Sequence, residues 1–358
     1  MKREYNILYT SSFSSMQGGG QRSTYLLIKY LNRDRFCPFL VVPDEGELSK
    51  EVERLGVKTF TVGFERIKSF NIIGIIKDLL KIIKVIRDNR IDIIHTESPR
   101  QTIYCGIAAK IFKIPLVMHL RVSDSSLFLD RILYFFSDYM IAVSLAVKER
   151  FEGIGNENKV GVVYNSVNLD EFTPTDRKDI INSDVLKIGY FGRIEERKGI
   201  DVLIKAVKHT NKEIKLIIQG EGDSNYTHKL KSLADGIKVE FRDYKKDIRP
   251  DMMNVDIVIL PSIKGEGLPR IIIEAMAMGK LVIASDLKSN REALGGGYEF
   301  FFPVGDDKAL ASLIIKVSEN RAIIYEKKAV LRARAENLFD VRKNTEMTEE
   351  IYNKILRI

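Results

Sequence analysis

The sequence predicts two α/β domains in tandem, each a parallel sheet wound on both faces by helices. Short runs rich in Val, Ile and Leu alternate with longer segments of helical spacing along most of the chain. The runs are apolar at both parities, which is the pattern of strands covered on both faces. The rhythm breaks once near the middle and then restarts. At 358 residues the chain has the length for two cores, given roughly 150 residues per domain. With 45% apolar and 30% charged residues, disorder, collagen and coiled coil are excluded.

In the first half the expected strands are Tyr5–Thr10, Phe39–Val42, Lys58–Val62, Ile91–His95, Pro115–His119, Tyr139–Val143 and Gly161–Tyr164. Residues 1–167 make the first domain. The stretch from Asn165 to Pro174 is polar, ends in proline and leads into the charged segment Asp176–Asp184, so the linker belongs there. The second domain, 168–340, has strands at Leu186–Phe191, Ile214–Gln219, Ile237–Phe241, Ile257–Pro261, Leu281–Ser285 and Glu299–Phe302. From about Asp306 the pattern is helical only, and Val341–Leu356 reads as a final helix. Residues 341–358 are expected to pack back on the first domain. The segment Asn71–Asp88 sets Lys77, Lys81, Lys84 and Asp88 mainly to one side of an apolar helix. That pattern suits a sheet-covering helix or one lying on a membrane surface.

The net charge of +8 is uneven, with 23 Lys/Arg against 16 Asp/Glu in residues 1–150 and 34 against 33 in the remainder. A basic first half serves solubility or attracts an anionic partner such as a membrane surface, an acidic glycan or a lipid phosphate. Cys37 and Cys105 are too few for a disulfide framework and sit among apolar residues, which fits buried thiols in a reducing compartment. The N-terminal residues run into a strand without a signal-peptide core, and no apolar run approaches the ~18 residues of a membrane span. A cytoplasmic location is expected.

Three segments carry candidate chemistry. After the first strand, Gly18-Gly19-Gly20 leads into a helix beginning near Gln21, a turn that either cradles a phosphate or is simply tight. In the second domain, strand Leu186–Phe191 leads into Gly192-Arg193-Ile194-Glu195-Glu196-Arg197-Lys198-Gly199. Arg193 offers a planar fork and Lys198 a point charge, a combination suited to a diphosphate. In the third segment, Leu260–Gly279, Glu266 and Glu274 stand with seven residues between them. Pro269 suits a first helical position, which directs the free amides of Arg270 and Ile271 at an anion. Glu274 is a polar island among Ile271, Ile272, Ile273, Ala275, Met276 and Ala277, and that favours a buried role as an acceptor.

Glu266, Glu274 and the following Ala-Met-Ala-x-Gly, with Leu281–Asp286, resemble the retaining glycosyltransferases of family 4 with the GT-B fold. Further similar features are Gly18-Gly19, His119, Asn165-Ser166-Val167-Asn168, Gly192-Arg193 with Lys198-Gly199, and Gly220-Glu221-Gly222, in an order that covers most of the chain. The resemblance implies two Rossmann-like domains facing each other across a cleft, with donor in the second and acceptor in the first. It implies that Arg193 and Lys198 bind the donor diphosphate, Glu274 the ribose and Glu266 the transferred sugar. Gly267, Leu268, Pro269 and Arg270 frame the donor with backbone groups, Gly18 and Gly19 lie beside it, and His119 acts at the reacting sugar. Glu221 and Tyr244 are placed to frame the base, uracil or guanine.

Arg121, two residues beyond His119, and His95, at the end of another strand, are candidate acceptor contacts. The linker reads Tyr164-Asn165-Ser166-Val167 where the family has Pro-Asn-Gly-Val, and Lys288-Ser289 stands where Gly-Gly is common. No metal and no cofactor is implied, because the nucleotide-diphosphate sugar is a substrate and the family binds it without a metal. The expected partners are that donor, a glycan or lipid-linked acceptor of cell-envelope polysaccharide synthesis, and an anionic membrane surface at the basic domain; nucleic acid is not among them. The rival readings are a nucleotide-sugar epimerase of the same fold, a non-catalytic nucleotide-sugar binder, and a dinucleotide oxidoreductase using Gly18–Gly20 with Asp44.

Overall fold

A computed structural model of the chain describes residues 3–66, 71–122, 126–174 and 185–358. The charged segment Asp176–Asp184 lies outside the described residues. The first part of the chain runs β1 (Tyr5–Thr10), α1 (Gly19–Tyr30), β2 (Phe36–Val42), α2 (Glu47–Glu53), β3 (Lys58–Thr61), α3 (Ile72–Asp88) and β4 (Ile93–Thr96). It continues with α4 (Pro99–Phe112), β5 (Leu116–Leu120), α5 (Leu127–Phe136), β6 (Tyr139–Ala142), α6 (Leu145–Lys148) and β7 (Val160–Val162). The second part runs β8 (Leu186–Phe191), α7 (Ile200–His209), β9 (Ile214–Gln219), α8 (Ser224–Leu233), β10 (Val239–Arg242), α9 (Arg249–Met253) and β11 (Ile257–Leu260). It ends with α10 (Arg270–Ala277), β12 (Leu281–Ser285), α11 (Lys288–Leu294), β13 (Phe301–Phe302), α12 (Asp307–Glu319), α13 (Ala322–Leu338) and α14 (Val341–Leu356).

These elements form two compact units, one of residues 1–165 with 341–358 and one of residues 166–340. The division falls two residues before the position expected from the linker pattern. Val167 explains the shift: it bridges to Asp340, its amide donates to the Phe339 carbonyl, and its side chain is fully buried. Helix α14 belongs with the first unit. There Tyr352 is fully buried beside Phe36, with ring centroids 5.8 Å apart in an edge-on contact.

All strand pairs are parallel, in the orders β3-β2-β1-β4-β5-β6-β7 and β10-β9-β8-β11-β12-β13. Each order reverses beside the first strand of its unit, between β1 and β4 and between β8 and β11. The loops leaving those strands at their carboxyl ends part at that point, where α/β sheets present ligand sites. Both interiors are mainly Val, Ile and Leu, as the two-parity pattern demands, and β4, β5, β11 and β12 are buried along their whole length.

The strand limits differ from the sequence reading where a local signal competed. β2 begins at Phe36, three residues early, because Pro38 sits in register with Ile7 on a stretch that β3, starting opposite Phe39, does not flank. The missing proline N–H is therefore not needed there. α1 begins at Gly19, two residues earlier than expected, so Gly19 and Gly20 form the first helical turn and Gly18 the cap. Likewise Pro269 caps α10, and the helix starts at Arg270. Cys105 is buried as expected, whereas Cys37 is only half-buried.

Candidate active site

In the second unit the loops after β8 and β11 meet at the point where the strand order reverses. The Ile263 amide donates to the Arg197 carbonyl at 2.8 Å. Gly199 lies between the loops with φ at +64°, and a Cβ there would stand 2.1 Å from the Pro261 carbonyl oxygen. Only glycine permits both the left-handed backbone and that approach. The approach brings the first loop's cations against the second loop's carboxylate: Lys198 Nζ donates to Glu266 Oε1, and both side chains are largely buried. Ser262 Oγ donates to the same oxygen at 2.6 Å, and Ser285 Oγ fixes Ser262 through its carbonyl at 2.6 Å.

Arg193 stays more than half exposed and pairs with Glu195 at 2.7 Å. Glu195 also accepts from Arg197 at 2.7 Å, while Arg197 Nη1 donates to the Gly265 carbonyl at 3.0 Å. Three cations thus line the segment, and the sequence reading had used two of them. Its own spacing, Arg193, Arg197 and Lys198 in six residues, was the signal for the third. The Arg270 side chain turns back into the protein, to the Ser166 carbonyl at 2.9 Å and to Glu274 Oε1 at 3.2 Å. Glu274 is buried as its apolar surroundings imply. Gly267, Leu268 and Pro269 are also buried, immediately before the α10 amides.

The loop after β9 completes this end of the sheet. Gly220 packs so tightly that a Cβ would lie 1.8 Å from the Gly192 carbonyl oxygen. Ile194 and Gly222 form a parallel bridge beside it. Gly220, Glu221 and Gly222 line a pocket of ≈ 550 Å³ together with Ile194, Phe241 and Tyr244. Glu221 and Tyr244, singled out separately in the sequence, therefore share one cavity adjoining the cationic loop.

The first unit carries a second polar cluster at its own reversal point. Glu97, just beyond β4, accepts from Ser11 Oγ (2.8 Å), the Ser12 amide (3.2 Å), Thr24 Oγ1 (2.8 Å) and Gln21 Nε2 (3.4 Å). It also accepts from Arg121 Nε at 3.1 Å, and Arg121 Nη2 donates to Thr24 at 3.2 Å. Gly20 underlies the guanidinium, since a Cβ there would lie 3.2 Å from Arg121 Cδ. His95 and His119 are both buried, with His95 Nε2 3.2 Å from His119 Nδ1. Burial, with Arg121 nearby, lowers the His95 pKa to about 3 and holds His119 well below its ordinary value. Arg121 Nη1 and His119 Nε2 are buried without a hydrogen-bond partner among the described residues.

The sequence reading missed Glu97 as the hub of this cluster and Tyr352 as its far wall. Gln21 and Thr24, one turn apart on α1, were the available signal for Glu97; nothing local marked Tyr352. The expected site residues fall into two sets, Gly18, Gly19, His95, His119 and Arg121 in the first unit and the others in the second. Among the described residues no group of three or more His, Cys, Asp or Glu is arranged to hold a metal ion, and no helix is long and apolar enough to cross a membrane.

The family described as "Glycosyl transferases group 1" matches residues 186–320, and "Glycosyltransferase Family 4" matches residues 17–171. The chain belongs to these glycosyltransferases. Its fold is theirs as well: a Rickettsia africae glycosyltransferase superposes with a TM-score of 0.85 at 24% identity, covering 99% of each chain. The Anabaena protein Alr3699/HepE, solved in complex with UDP and glucose, superposes with a TM-score of 0.84 at 22% identity, covering 97% of this chain and 99% of that one. Both share the GT-B architecture of two parallel-sheet α/β domains.

Among characterised relatives of the glycosyltransferase is the Campylobacter jejuni N,N'-diacetylbacillosaminyl-diphospho-undecaprenol alpha-1,3-N-acetylgalactosaminyltransferase, 25% identical over 76% of this chain and 79% of that protein. An Escherichia coli UDP-Gal:alpha-D-GlcNAc-diphosphoundecaprenol alpha-1,3-galactosyltransferase is 21% identical over 93% of each.

Two predictions follow from the buried charges of this glycosyltransferase. Lys198→Met leaves the Glu266 carboxylate buried with Ser262 alone, and urea unfolding should show a loss on the order of 3 kcal/mol. Adding Glu266→Gln should recover most of it, and simple additivity of the two changes would show that the pair is not coupled. The second concerns His95, whose folded pKa lies below its unfolded one, so between about pH 3 and 6.5 the unfolded chain binds the extra proton. Stability should fall as pH drops below 6.5, by about 1 kcal/mol per pH unit from His95. His95→Gln should flatten that acid limb in urea titrations at pH 7, 6 and 5; parallel limbs would refute the assignment.

Proposed function

We propose that the chain transfers a sugar from a nucleotide-diphosphate donor to a lipid-linked or glycan acceptor in polysaccharide assembly, with retention at the anomeric carbon and without a metal ion. The observation that carries the reading is the convergence of Lys198, Glu266 and the α10 amides at the parting of the β8 and β11 loops. A diphosphate leaving group accumulates negative charge as the glycosidic bond breaks. Preorganised cations and a helix N-terminus stabilise that charge where it develops. Arg193, held among the described residues by one partly exposed ion pair, can swing onto the phosphates.

In this reading Glu274 accepts from the ribose hydroxyls, Glu266 from the sugar hydroxyls, and the pocket of Glu221 and Tyr244 takes the base. Lys198 has two partners to serve, Glu266 and the phosphate. Glu266 acts by hydrogen bonding and charge, without a covalent bond to the sugar, and the leaving phosphate takes the acceptor's proton as the new bond forms on the same face. On the acceptor side stand Arg121 and His119, whose buried Nη1 and Nε2 have no hydrogen-bond partner among the described residues. The named activities of the Campylobacter and Escherichia relatives, both on diphospho-undecaprenol sugars, favour a lipid-linked acceptor.

The donor half is tested by thermal stabilisation with UDP, GDP, ADP and their sugar conjugates in EDTA. One base should shift the melting temperature, and the Arg193→Ala/Lys198→Ala variant should lose that shift. No response to any nucleotide would overturn the donor site. An epimerase sharing the site would convert the nucleotide sugar without any acceptor, so product analysis in the acceptor's absence separates the two.

The proposal extends to an anionic membrane surface. Helices α3, α4 and α5 pack side by side, and their outer face carries Ile73 (82% exposed), Ile76, Leu80, Ile111, Phe128 (77% exposed) and Phe135. Lys77, Lys81, Lys84, Lys110 and Arg131 are exposed among them, while Asp78 and Asp130 are turned inward. The expected division of α3 into an apolar buried side and a lysine side is thus incomplete, because isoleucines and lysines share the outer stripe. An apolar face rimmed by cations, with Asp88 at the end of α3 the one exposed acid on these three helices among the described residues, matches an anionic bilayer. At low salt the chain should sediment with phosphatidylglycerol-containing vesicles and not with phosphatidylcholine alone, and Ile73→Glu/Ile76→Glu should weaken this by about tenfold or more. Absence of binding to either vesicle would remove the membrane from the reading.

A further inference from the structure

The segment that leaves β5 is bound to two guanidinium groups, and each of them holds a buried carboxylate of its own. Arg150 reaches Asp130 from Nε at 3.0 Å and donates from Nη1 to the Val122 carbonyl at 3.2 Å. Arg121 gives Nε to Glu97 and Nη2 to Thr24, whose hydroxyl donates to the same Glu97 oxygen at 2.8 Å. The Arg121 and Glu97 side chains are only 13% and 4% exposed. What Arg121 keeps in hand is Nη1, buried without a hydrogen-bond partner among the described residues.

Charge separates two kinds of ligand for that nitrogen. A phosphate or a uronic carboxylate would gain the attraction of Arg121 and meet, across the same guanidinium, the repulsion of Glu97, in a site too dry to screen either. The pair is neutral as a whole, so the two effects nearly cancel, while the anion still loses its water. A sugar hydroxyl brings no charge, and its lone pair satisfies the idle donor. The neighbours agree: Ser11, Gln21 and Thr24 meet Glu97 with hydroxyls and a side-chain amide, and burial keeps His95 and His119 uncharged. The amides at the start of α1 favour an anion, and in the proposed reading they serve the donor. The cationic loop of the second unit is the opposite case, with Arg193 more than half exposed beside its partner.

We infer that Glu97 sets the chemical class of the acceptor: by cancelling the charge of Arg121 it makes the first unit accept an uncharged sugar hydroxyl at Nη1 and refuse a sugar that carries a phosphate or carboxylate at that contact. Arg121 is the acceptor contact, and Glu97 is a specificity-determining residue that acts through it. The inference rests on the proposed transferase reading. It deepens that reading by naming the acceptor's reacting residue as an uncharged sugar, with any lipid diphosphate lying away from Arg121. The excess positive charge of the first unit then belongs to its outer face and not to this contact.

Arginine side-chain ¹H–¹⁵N spectra of the full chain, assigned with Arg121→Lys and Arg193→Lys, report each guanidinium separately and independently of activity. Titrated with inorganic phosphate, the wild-type Arg121 signal should hold its position, and Glu97→Gln should let phosphate move it. A response of Arg121 in the wild type equal to that in the variant overturns the inference, and silence in both overturns the role of Glu97. Silence of Arg193 toward every nucleoside diphosphate would instead overturn the donor reading beneath it. Transfer gives the second readout, with octyl glucoside set against octyl glucuronide and octyl galactoside against octyl galacturonide. The wild type should prefer the uncharged member on the order of 100-fold in kcat/KM, and Glu97→Gln should narrow the preference to about tenfold or less. A Glu97 that merely supports the fold would lower both rates together and leave their ratio unchanged, which overturns its role. Equal use of acidic and uncharged members by the wild type overturns the inference outright. Should Glu97→Gln fail to fold, the wild-type titration and ratio still decide, and should no glycoside be turned over, the titration decides alone.

Discussion

Every functional group described depends on one constraint of parallel sheets: where the winding direction reverses, adjacent strands must send their loops to opposite faces. In the second unit that happens between β8 and β11, and the gap is spanned by the bond from the Ile263 amide to the Arg197 carbonyl. The approach is close enough that Gly199 admits no side chain. From this contact follow the meeting of Lys198 with Glu266, the placement of the α10 amides and the seating of Gly220 on Gly192. Each lies within a few residues of the same junction. The first unit repeats the arrangement between β1 and β4, with Glu97 in place of the lysine pair.

The two junctions solve the desolvation of charge differently. In the second unit, cations outnumber the carboxylates that face them, and Arg193 is left at the surface with an exchangeable partner. That arrangement favours an arriving polyanion, because little native structure is lost when it is met. In the first unit the Glu97–Arg121 pair is buried at 3.1 Å and saturated on the carboxylate side by hydroxyls, an amide and a side-chain amide. Buried pairs of this kind contribute little net stability, yet they fix direction. Here the effect is to point one guanidinium nitrogen and one imidazole nitrogen at the same end of the sheet with their hydrogen-bonding capacity unspent.

Much of this was legible in the sequence, for reasons that separate into local and distant. β1, β8, β9 and β12 begin and end where apolar runs do, and α14 matches its predicted span, because each carries its own period and boundary signals. Glu274 read as buried since six of its neighbours are apolar, and Lys198 read as a site residue because it stands with Arg193 between a strand end and a helix start. By contrast, Pro38 sits inside β2 because of what β3 fails to cover, and Val167 joins the second unit through Phe339 and Asp340. Exposure of Ile73 and Ile76 escaped the periodicity, which distinguishes two faces of a helix without saying which face meets the sheet. Tyr352 was invisible for the strongest reason, since its partners Tyr9 and His95 are hundreds of residues away.

That last distance has a physical meaning for how the chain is built. The backbone leaves the first unit at Asn165, completes the second, and returns at Val341 to supply the final helix of the first. Until α14 docks, His95 Nδ1 and the phenol of Tyr9 lack the Tyr352 hydroxyl, and the face of the sheet beneath them is open to water. Wet imidazoles would take up protons near pH 6.5 and exchange tautomers freely. Docking of one helix therefore closes the core and leaves His95 neutral in a single event. The polar series is thus coupled to completion of the fold, so loss of the last helix would expose it to water as well as cost stability.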